Sequence, residues 1–498
     1  FAGGESDKAQ RNPSANPAVL TGDLNSNDGP PSNGIAPNSG ENSRHVVRFD
    51  GAAGARLDGV TVRAGNATGA AAPADNVGGN VRVEGGEVEI VGCVLERGRA
   101  GRAGASVGVL GGVVTLRDVV VRENRSDTAG SGVASLDGAS VTISECEFVA
   151  NIGGQGGGLY LGKTILNAPG VAPGSATVRA SRFVSTHGVL GGAAGGGILN
   201  DGGTLDVAGS SFQDNSVSGG GGAIYGRGGV TRIDRCDFVG NSAPGDGGGA
   251  IFIDGREGAL GAPGAPAHIT NSRFVGNNGA MMVNFLGDAR VVNCTVANNT
   301  VDIPFLAWPA FLTTTGSQTT LRNSIVWDNG DGTLAPSATG LAGSGAYVLS
   351  NNLIEAWTPA HGPGAFNADP LFVDAEGPDG VRGTVDDDLR LRPGSPARDA
   401  GDAAFLPPDS AEDLNGGARV LDGDLDGAAL VDLGAIEATC PPDATGDGVV
   451  NFVDLNALLS AFGQVGAPGF TGADVDANGV VNFADLNAVL SAFGADCR

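Results

Sequence analysis

TLDVAGSSFQDNSVSGGGGAIYGRGG, residues 204–229, runs directly into VTRIDRCDFVGNSAPGDGGGAIFIDG, residues 230–255. The two segments are near-copies. Each opens on a short apolar alternation, Leu205 and Val207 in one and Thr231 and Ile233 in the other. Each continues with a small residue two before a Phe, then an Asn, a Gly run and Ala-Ile-Tyr/Phe. Phe212 and Phe238 are 26 residues apart, and Asn215 and Asn241 keep the same step. A repeat of this length, made of short strands with no helix-length run, predicts a solenoid.

The register extends in both directions. Phe148, Phe183, Phe212, Phe238 and Phe274 fall in one column, which Val94–Leu95, Val121, Val296 and Val326 continue. Gaps longer than one unit carry Gly/Pro/Ala inserts, such as Leu166–Gly174 and Arg256–Pro266, which read as loops on the outside of the coil. Within each unit, period-two runs of β-branched and apolar residues alternate with Gly, Asn and Asp, the signals of strands and turns. No stretch from 45 to 355 has helical periodicity. Strands stacked on their own copies give parallel sheets about 4.8 Å apart, so roughly eleven coils predict a rod about 50 Å long.

A second column stands two residues before the Phe column: Cys93, Cys146, Ser181, Ser210, Cys236, Ser272, Cys294 and Ser324. Small, slightly polar residues suit a crowded inward turn. Just before it, Asn271, Asn293 and Asn323 are expected to form a stacked amide ladder with a structural role. No two of these cysteines fall on neighbouring coils, and two coils of separation is near 10 Å, too far for a bridge. Four buried free thiols are therefore expected. Cys440 and Cys497 bracket a small acidic module, and a disulfide between them would staple its ends and suit an extracellular compartment.

The chain has 498 residues, a net charge of −26 and 87 glycines without a Gly-X-Y period, which excludes collagen. Residues 366–498 hold 24 acids against 6 Arg, so the C-terminal part seeks cations, and nucleic acid is not an expected partner. No 18-residue apolar run reads as a transmembrane helix.

Four regions follow in order. Residues 1–44 are polar and turn-rich; within them Gly22–Gly34 places Asp23, Asn25, Asn27 and Asp28 close together, which reads as a surface loop with a calcium-bound loop as the alternative. Residues 45–355 are the solenoid. Its insert DIPFLAWPAFL (302–312) is apolar, and Trp308, Trp327 and Trp357 lie in or after it. Trp308 and Trp327 are candidates for stacking on sugar rings, against the simpler reading that the insert covers a flank or end. Residues 356–439 change character, with FNADPLFVD (366–374), GPDGVRGTVDDDLRLRPGSPARDAGD (377–402) and DLNGGARVLDGDLDGAALVDLGAIE (413–437). Asp422, Asp424 and Asp426 alternate before Gly427, three carboxylates around one turn and candidates for a metal; Leu433 at the twelfth position is not an acid.

Together with NSIVWDNG (323–330) and NNLIE (351–355), these motifs resemble bacterial secreted right-handed parallel β-helix proteins of the choice-of-anchor type. The resemblance implies a capped right-handed β-helix with residues 356–439 as the cap, and implies no activity. The opening residues 1–25 resemble an internal coil of such proteins, so further coils are expected before Phe1.

Residues 440–498 hold two copies about 31 residues apart, VVNFVDLNALLSAFG (449–463) and VVNFADLNAVLSAFG (480–494). Each follows a calcium-loop frame. Asp443, Thr445, Asp447, Gly448, the Val449 carbonyl, Asn451 and Asp454 take positions 1, 3, 5, 6, 7, 9 and 12; Asp474, Asp476, Asn478, Gly479, the Val480 carbonyl, Asn482 and Asp485 take the same positions in the second. Oxygen at alternating positions, Gly at six and an acid at twelve are what a wrapped hard cation needs. Helices then run from Asp454 and Asp485. Leu455, Leu458, Leu459 and Phe462, or Leu486, Val489, Leu490 and Phe493, form one apolar stripe in each. The duplicated loop–helix with Asp at twelve resembles a type I dockerin, which implies docking to a cohesin-like partner at a scaffold or cell surface. The loop positions that help select the partner in that family are Phe452/Val453 and Phe483/Ala484, apolar where Ser-Thr is frequent.

Parallel β-helices also host pectate lyases and polygalacturonases, but fold alone does not give activity. The outward column before the Phe reads Glu147, Arg182, Ser211, Asp237, Arg273 and Thr295, alternating in sign without an acidic cluster. Asp234 and Asp237 near Arg235 and Arg273 are the nearest approach to a catalytic set, and surface ion pairs are the favoured reading of them. The four histidines show no ligand spacing, and there is no nucleophile elbow, phosphate loop or zinc pattern. The expected architecture is all-β, a right-handed parallel β-helix followed by a small α-helical calcium-binding module. The expected role is a secreted or surface structural or adhesive protein, with a polysaccharide lyase or hydrolase and a carbohydrate-binding protein as alternatives.

Overall fold

The computed structural model describes residues 17–494 except 31, 33–34, 70–72, 164–170, 190, 192, 245–246, 257–266, 301–309, 331–340, 362, 393, 409–410, 422–427, 439–441, 446–448, 467–471 and 477. Two compact units divide the chain. The first runs to Arg232 and adds Asn241–Ala267 and Met282–Asp288; the second comprises Ile233–Gly240, His268–Met281 and everything from Ala289.

In the first unit three kinds of strand recur. One parallel sheet stacks Ala18–Thr21, Val60–Arg63, Val94–Glu96, Val120–Arg122, Glu147–Val149, Arg182–Val184 and Ser211–Gln213. A second runs from Val47–Asp50 through Val107–Leu110 and Ile198–Asp201 to Met282–Phe285. A third contains Glu87–Val91, Val113–Arg117, Ser140–Ser144, Ser175–Arg179 and Thr204–Ala208. Period-two alternation explains which side faces in: Val113–Arg117 buries Val114 and Leu116 and exposes Val113 and Arg117. The pairing of Ala18–Thr21 with Val60–Arg63 makes the first described strand part of a coil.

The Phe column is the inward stack. Leu95, Val121, Phe148, Phe183 and Phe212 pair in register, and the rings of Phe148, Phe183 and Phe212 stack at 4.5 and 4.9 Å. In the second unit Phe238 stacks on Phe274 at 4.6 Å, and Phe274, Val296 and Val326 continue in register. The small-residue column also holds: the Cys146 amide donates to Ser181 Oγ at 3.1 Å, Ser181 to Ser210 at 3.2 Å and Cys294 to Ser324 at 3.1 Å. Cys93, Cys146, Cys236 and Cys294 are buried free thiols, whereas Cys440 and Cys497 lie outside the described residues.

The expected amide ladder is mostly elsewhere. Asn293 does donate to Asn271 at 3.1 Å, but Asn323 instead exchanges hydrogen bonds with the backbone of Asp402, both at 3.0 Å. What Asn271, Asn293, Asn323 and Asn351 share with Asp118, Glu145, Ala180 and Arg235 is a φ of 47 to 56°. This is the left-handed region, where Asn is several-fold enriched. The recurrent Asn of that column therefore follows from the turn. The bonded rungs run in separate stretches through the other Asn of the repeat, three residues after the Phe column, with Thr186 taking that place after Phe183. Asn124 donates to Asn151, Asn215 to Asn241, Asn277 to Asn299 and Asn299 to Asn329, at 2.8–2.9 Å. Each fills the coil interior with satisfied amides, as buried polar groups require.

In the second unit the strands Arg273–Val275, Thr295–Ala297, Ile325–Trp327 and Asn352–Ile354 are covered on their outer face as well. Val275, Ala297, Ile325 and Leu353 form one core with Phe372, Leu389, Leu391, Ala397, Leu433 and Ala438. The segments holding Phe372, Leu389, Leu391, Ala397, Leu433 and Ala438 thus lie along the flank of these coils, with the antiparallel pair Phe372–Asp374 and Asp388–Leu391 among them. Burial on both faces is why Ile325–Val326–Trp327 reads as an unbroken apolar run. No helix among the described residues is long and apolar enough to cross a membrane.

Candidate functional site

The C-terminal module is built from two matching loop–helix turns. Helix α1 spans Phe452–Ala461 and α2 spans Phe483–Ser491. Each begins two residues before the acid named from the sequence, because an Asn caps it. Asn451 Oδ1 accepts from the Val453 amide at 2.7 Å while Asp454 Oδ2 accepts from the Asn451 amide at 2.8 Å. Asn482 and Asp485 repeat this capping box at 2.8 Å each. The acid at loop position twelve is therefore also the third residue of its helix, and both Asp454 and Asp485 are fully buried. The halves interlock: the Gly463 amide donates to the Val481 carbonyl and the Gly494 amide to the Val450 carbonyl, both at 2.8 Å. Val450, Leu458, Ala473, Val475, Val481 and Val489 form the shared core.

In the second loop, Asp474, Asp476 and Asp485 bring carboxylate oxygens within 4.8 Å of one another. Backbone amides set them there: Asn478 and Gly479 donate to Asp474 at 3.1 and 2.9 Å, and Asp476 donates to Asp485 at 3.2 Å. Gly479, at position six, has φ 85°, the conformation the sharp turn demands. Burial and then the neighbouring Asp485 raise the Asp476 carboxyl above its ordinary value, the mark of acids crowded together. The Val480 carbonyl accepts from Asn482 Nδ2 at 2.9 Å, and Val449 and Asn451 repeat that bond in the first loop. This donor set fits a hard cation. In the first loop Thr445 donates its amide and its hydroxyl to Asp454 Oδ1 at 3.0 and 2.8 Å, and Asp443 is half-buried. Asp447 lies outside the described residues, as do Asp422, Asp424, Asp426 and Trp308.

The apolar stripe of each helix is divided. Leu458 and Val489 are buried, whereas Leu459, Phe462, Leu490 and Phe493 are 40–52 % exposed. Phe452 and Phe483 are both 72 % exposed, with Val453 and Ala484 exposed beside them. The rings pair across the module: Phe452 meets Phe493 edge-on at 4.8 Å, and Phe462 meets Phe483 at 5.1 Å. Phe462 and Phe493 belong to the exposed face, a role the helical period could not separate from core.

The acids and arginine considered for catalysis are engaged structurally. Arg273 donates to Asp237 at 2.9 and 2.8 Å and to the Asp387 carbonyl at 2.7 Å, so it holds the flanking segment on the coil. Asp234 accepts from Thr270 at 2.6 Å and Asn271 at 2.9 Å. Glu147 and Arg182 are a cross-coil ion pair at 3.5 Å.

A cavity of about 280 Å³ lies beside the half-buried Trp327, between the coil and the flanking segment. Leu371 and Phe372 line it with Asp328, Asp369, Asp374 and Glu376. Arg382 pairs with Asp328 and with Glu376, and Arg392 Nε, also at the lining, is buried without an acceptor. These residues come from separate motifs of the sequence, and folding brings Asn298, Trp327 and Asp328 against 369–392.

A model of the right handed beta helix region matches residues 191–358. Among solved structures, the chain is similar to one described as "Crystal structure of pectate lyase Pel9A", at 15 % identity and a TM-score of 0.37, covering 79 % of this chain and 86 % of that one. No curated protein matches. The stacked parallel sheets of the described residues form a parallel β-helix, and residues 191–358 of it match the right-handed β-helix region.

Proposed function

We propose that this chain is a secreted or cell-surface β-helix protein displayed through its C-terminal module, which binds calcium and docks a cohesin-like partner in the manner of a dockerin. The observation that carries the reading is the convergence of Asp474, Asp476 and Asp485 within 4.8 Å at loop positions 1, 3 and 12. The exposed pairs Phe452–Phe493 and Phe462–Phe483 supply the apolar surface for the partner. Calcium ordering of the loops sets the angle of both helices and so the spacing of these rings. The test is isothermal titration of calcium into the chelator-stripped chain. Binding that Asp485→Asn weakens at least tenfold supports the reading; an unchanged isotherm removes it.

A second reading is supported by the cavity beside Trp327: the β-helix binds a polysaccharide there. An indole wall with carboxylates and an unmatched guanidinium N–H suits a sugar ring and its hydroxyls. Incubation with neutral and acidic polysaccharides, following both retention and new reducing ends, decides it. Retention that Trp327→Ala abolishes supports binding, and new reducing ends support cleavage. Neither signal on any substrate removes the reading.

A further inference from the structure

The cavity beside Trp327 is lopsided in what it offers a ligand. Among the described residues that line it, four carboxylates stand against two guanidiniums, an excess of two negative charges. The excess is concentrated at two residues. Arg382 pairs with Asp328 and Glu376. Asp369 and Asp374 pair with no Arg, Lys or His among the described residues; they accept only the backbone amides of Leu371, at 2.9 Å, and Glu376, at 3.4 Å.

Hydrogen-bonding capacity leans the same way. The Asn298 side-chain nitrogen is spent on the Ala375 carbonyl at 3.0 Å and on Asp387 Oδ2 at 2.8 Å. Arg392 gives one N–H to the Val373 carbonyl, and its buried Nε has no acceptor. The oxygens of Asp369 and Asp374 therefore call for a ligand that brings donors and positive charge, with one acceptor for Arg392. The indole of Trp327 adds to both demands. Its face packs on the apolar side of a sugar ring, and its quadrupole attracts a cation. A volume of about 280 Å³ suits one ring of a chain rather than several.

Resting on the polysaccharide reading of this cavity, we infer that the ring it takes is an amino sugar with a free ammonium group, and that chains of uronic acids are rejected. The ammonium is held by Asp369 and Asp374, the ring lies on Trp327, and a ring oxygen accepts from Arg392 Nε. A uronate brings acceptors and negative charge to a lining that already has both in excess, so the same acids act as a filter. An N-acetylated ring has a similar shape without the charge. One exposed ion pair and one cation–π contact together favour the free amine over it by about tenfold in affinity.

The test is calorimetric titration of the full chain with soluble oligomers of glucosamine, N-acetylglucosamine, glucose and galacturonate. The glucosamine oligomer should bind about tenfold tighter than the two neutral ones, and the galacturonate oligomer should not bind. Asp369→Asn, which keeps an acceptor for the Leu371 amide, and Asp374→Asn should each bring the glucosamine oligomer down toward the neutral value and leave the neutral oligomers unchanged. Trp327→Ala should weaken all three. The sugar site and its selectivity fail separately. A neutral or galacturonate oligomer that binds as tightly as the glucosamine oligomer, or parent selectivity in both Asp variants, overturns the amino-sugar inference and leaves the sugar site standing. Glucosamine binding that survives Trp327→Ala also overturns it, because the net charge of −26 then accounts for the attraction. Silence from every oligomer removes both.

Discussion

Arg419 Nη1 lies 3.0 Å from Glu437 Oε1, and neither side chain has appreciable exposed surface. Asp432 and Asp413 share the same interior: the Asp432 amide donates to Glu437, and the Glu437 amide donates to Asp413. Three carboxyls thus surround one guanidinium. Burial outweighs the attraction of Arg419 and pushes the Glu437 carboxyl from 4.5 to about 8, and it raises Asp432 as well.

The raised value gives a signed pH dependence. Between about 4.5 and 8, folded Glu437 holds a proton that the unfolded chain has released. Its contribution to stability is therefore complete below the lower value and is lost as pH rises through the upper one. Thermal midpoints of the parent should fall relative to Glu437→Gln between pH 5 and 8, by about 2 °C or more. Parallel curves for the two proteins would refute the assignment.

Removing the cation is the harsher change. Arg419→Met strands the Glu437 carboxylate once pH exceeds its folded value of about 8, and should cost about 3–5 kcal/mol at pH 9. The loss should ease at pH 5, where folded Glu437 holds its proton. Urea denaturation at the two pH values measures both.

The Asn ladder makes a graded prediction. Asn299 donates to the carbonyls of Phe274 and Ala297 at 3.0 Å and accepts from Asn277 at 2.9 Å. Asn299→Ala leaves these groups buried and unmatched, at about 1–3 kcal/mol each. Asn351→Ala, at an exposed turn bonded once to Ala400, should cost about 1 kcal/mol, the left-handed backbone included. Chemical denaturation should rank the two in that order.

Thiol accounting checks the coil and the module together. Burial pushes the Cys146 thiol up to about 11 and that of Cys294 to about 12. Only the thiolate attacks an aromatic disulfide reagent. The native chain at pH 8 should therefore show no fast-reacting thiol from Cys93, Cys146, Cys236 or Cys294. Unfolding without reductant should release four; six would mean that Cys440 and Cys497 are not bridged.

On the proposed calcium reading, Thr445 makes the first loop the weaker of the two. Its hydroxyl spends itself on Asp454 at 2.8 Å where the other loop offers the Asp476 carboxylate. Thr445→Asp adds a charged ligand and should tighten calcium at the first loop about tenfold. Without calcium the same variant should melt lower, from added repulsion. Calorimetry with and without chelator reads both effects.

The coils were legible because their information is local and repeated. The repeat set by Phe212 and Phe238, with its longer gaps read as loop inserts, placed Phe148, Phe183 and Phe212 in one column, and their rings stack. The module was legible in its spacing, and the capping by Asn451 and Asn482 explains why its helices start earlier than the acids. What stayed hidden depends on contacts between distant segments. The Ala435 amide bonds Thr295 Oγ1 across 140 residues, and nothing near either residue announces it. The cavity beside Trp327 is likewise made by that flank. The stripe on α1 and α2 misled for another reason, since periodicity marks an apolar face without saying whether core or partner will cover it.

The rungs of the Asn ladder are separated by 22, 26, 27 and 30 residues, yet the amide bonds stay at 2.8–2.9 Å. Contour length between rungs is thus decoupled from the pitch of the coil. A segment can be spliced into an outer excursion and leave the register above and below it intact, while a single residue gained between Phe column and Asn would unthread the stack. The fold separates a repeated spine of geometry from walls whose length and chemistry differ coil by coil.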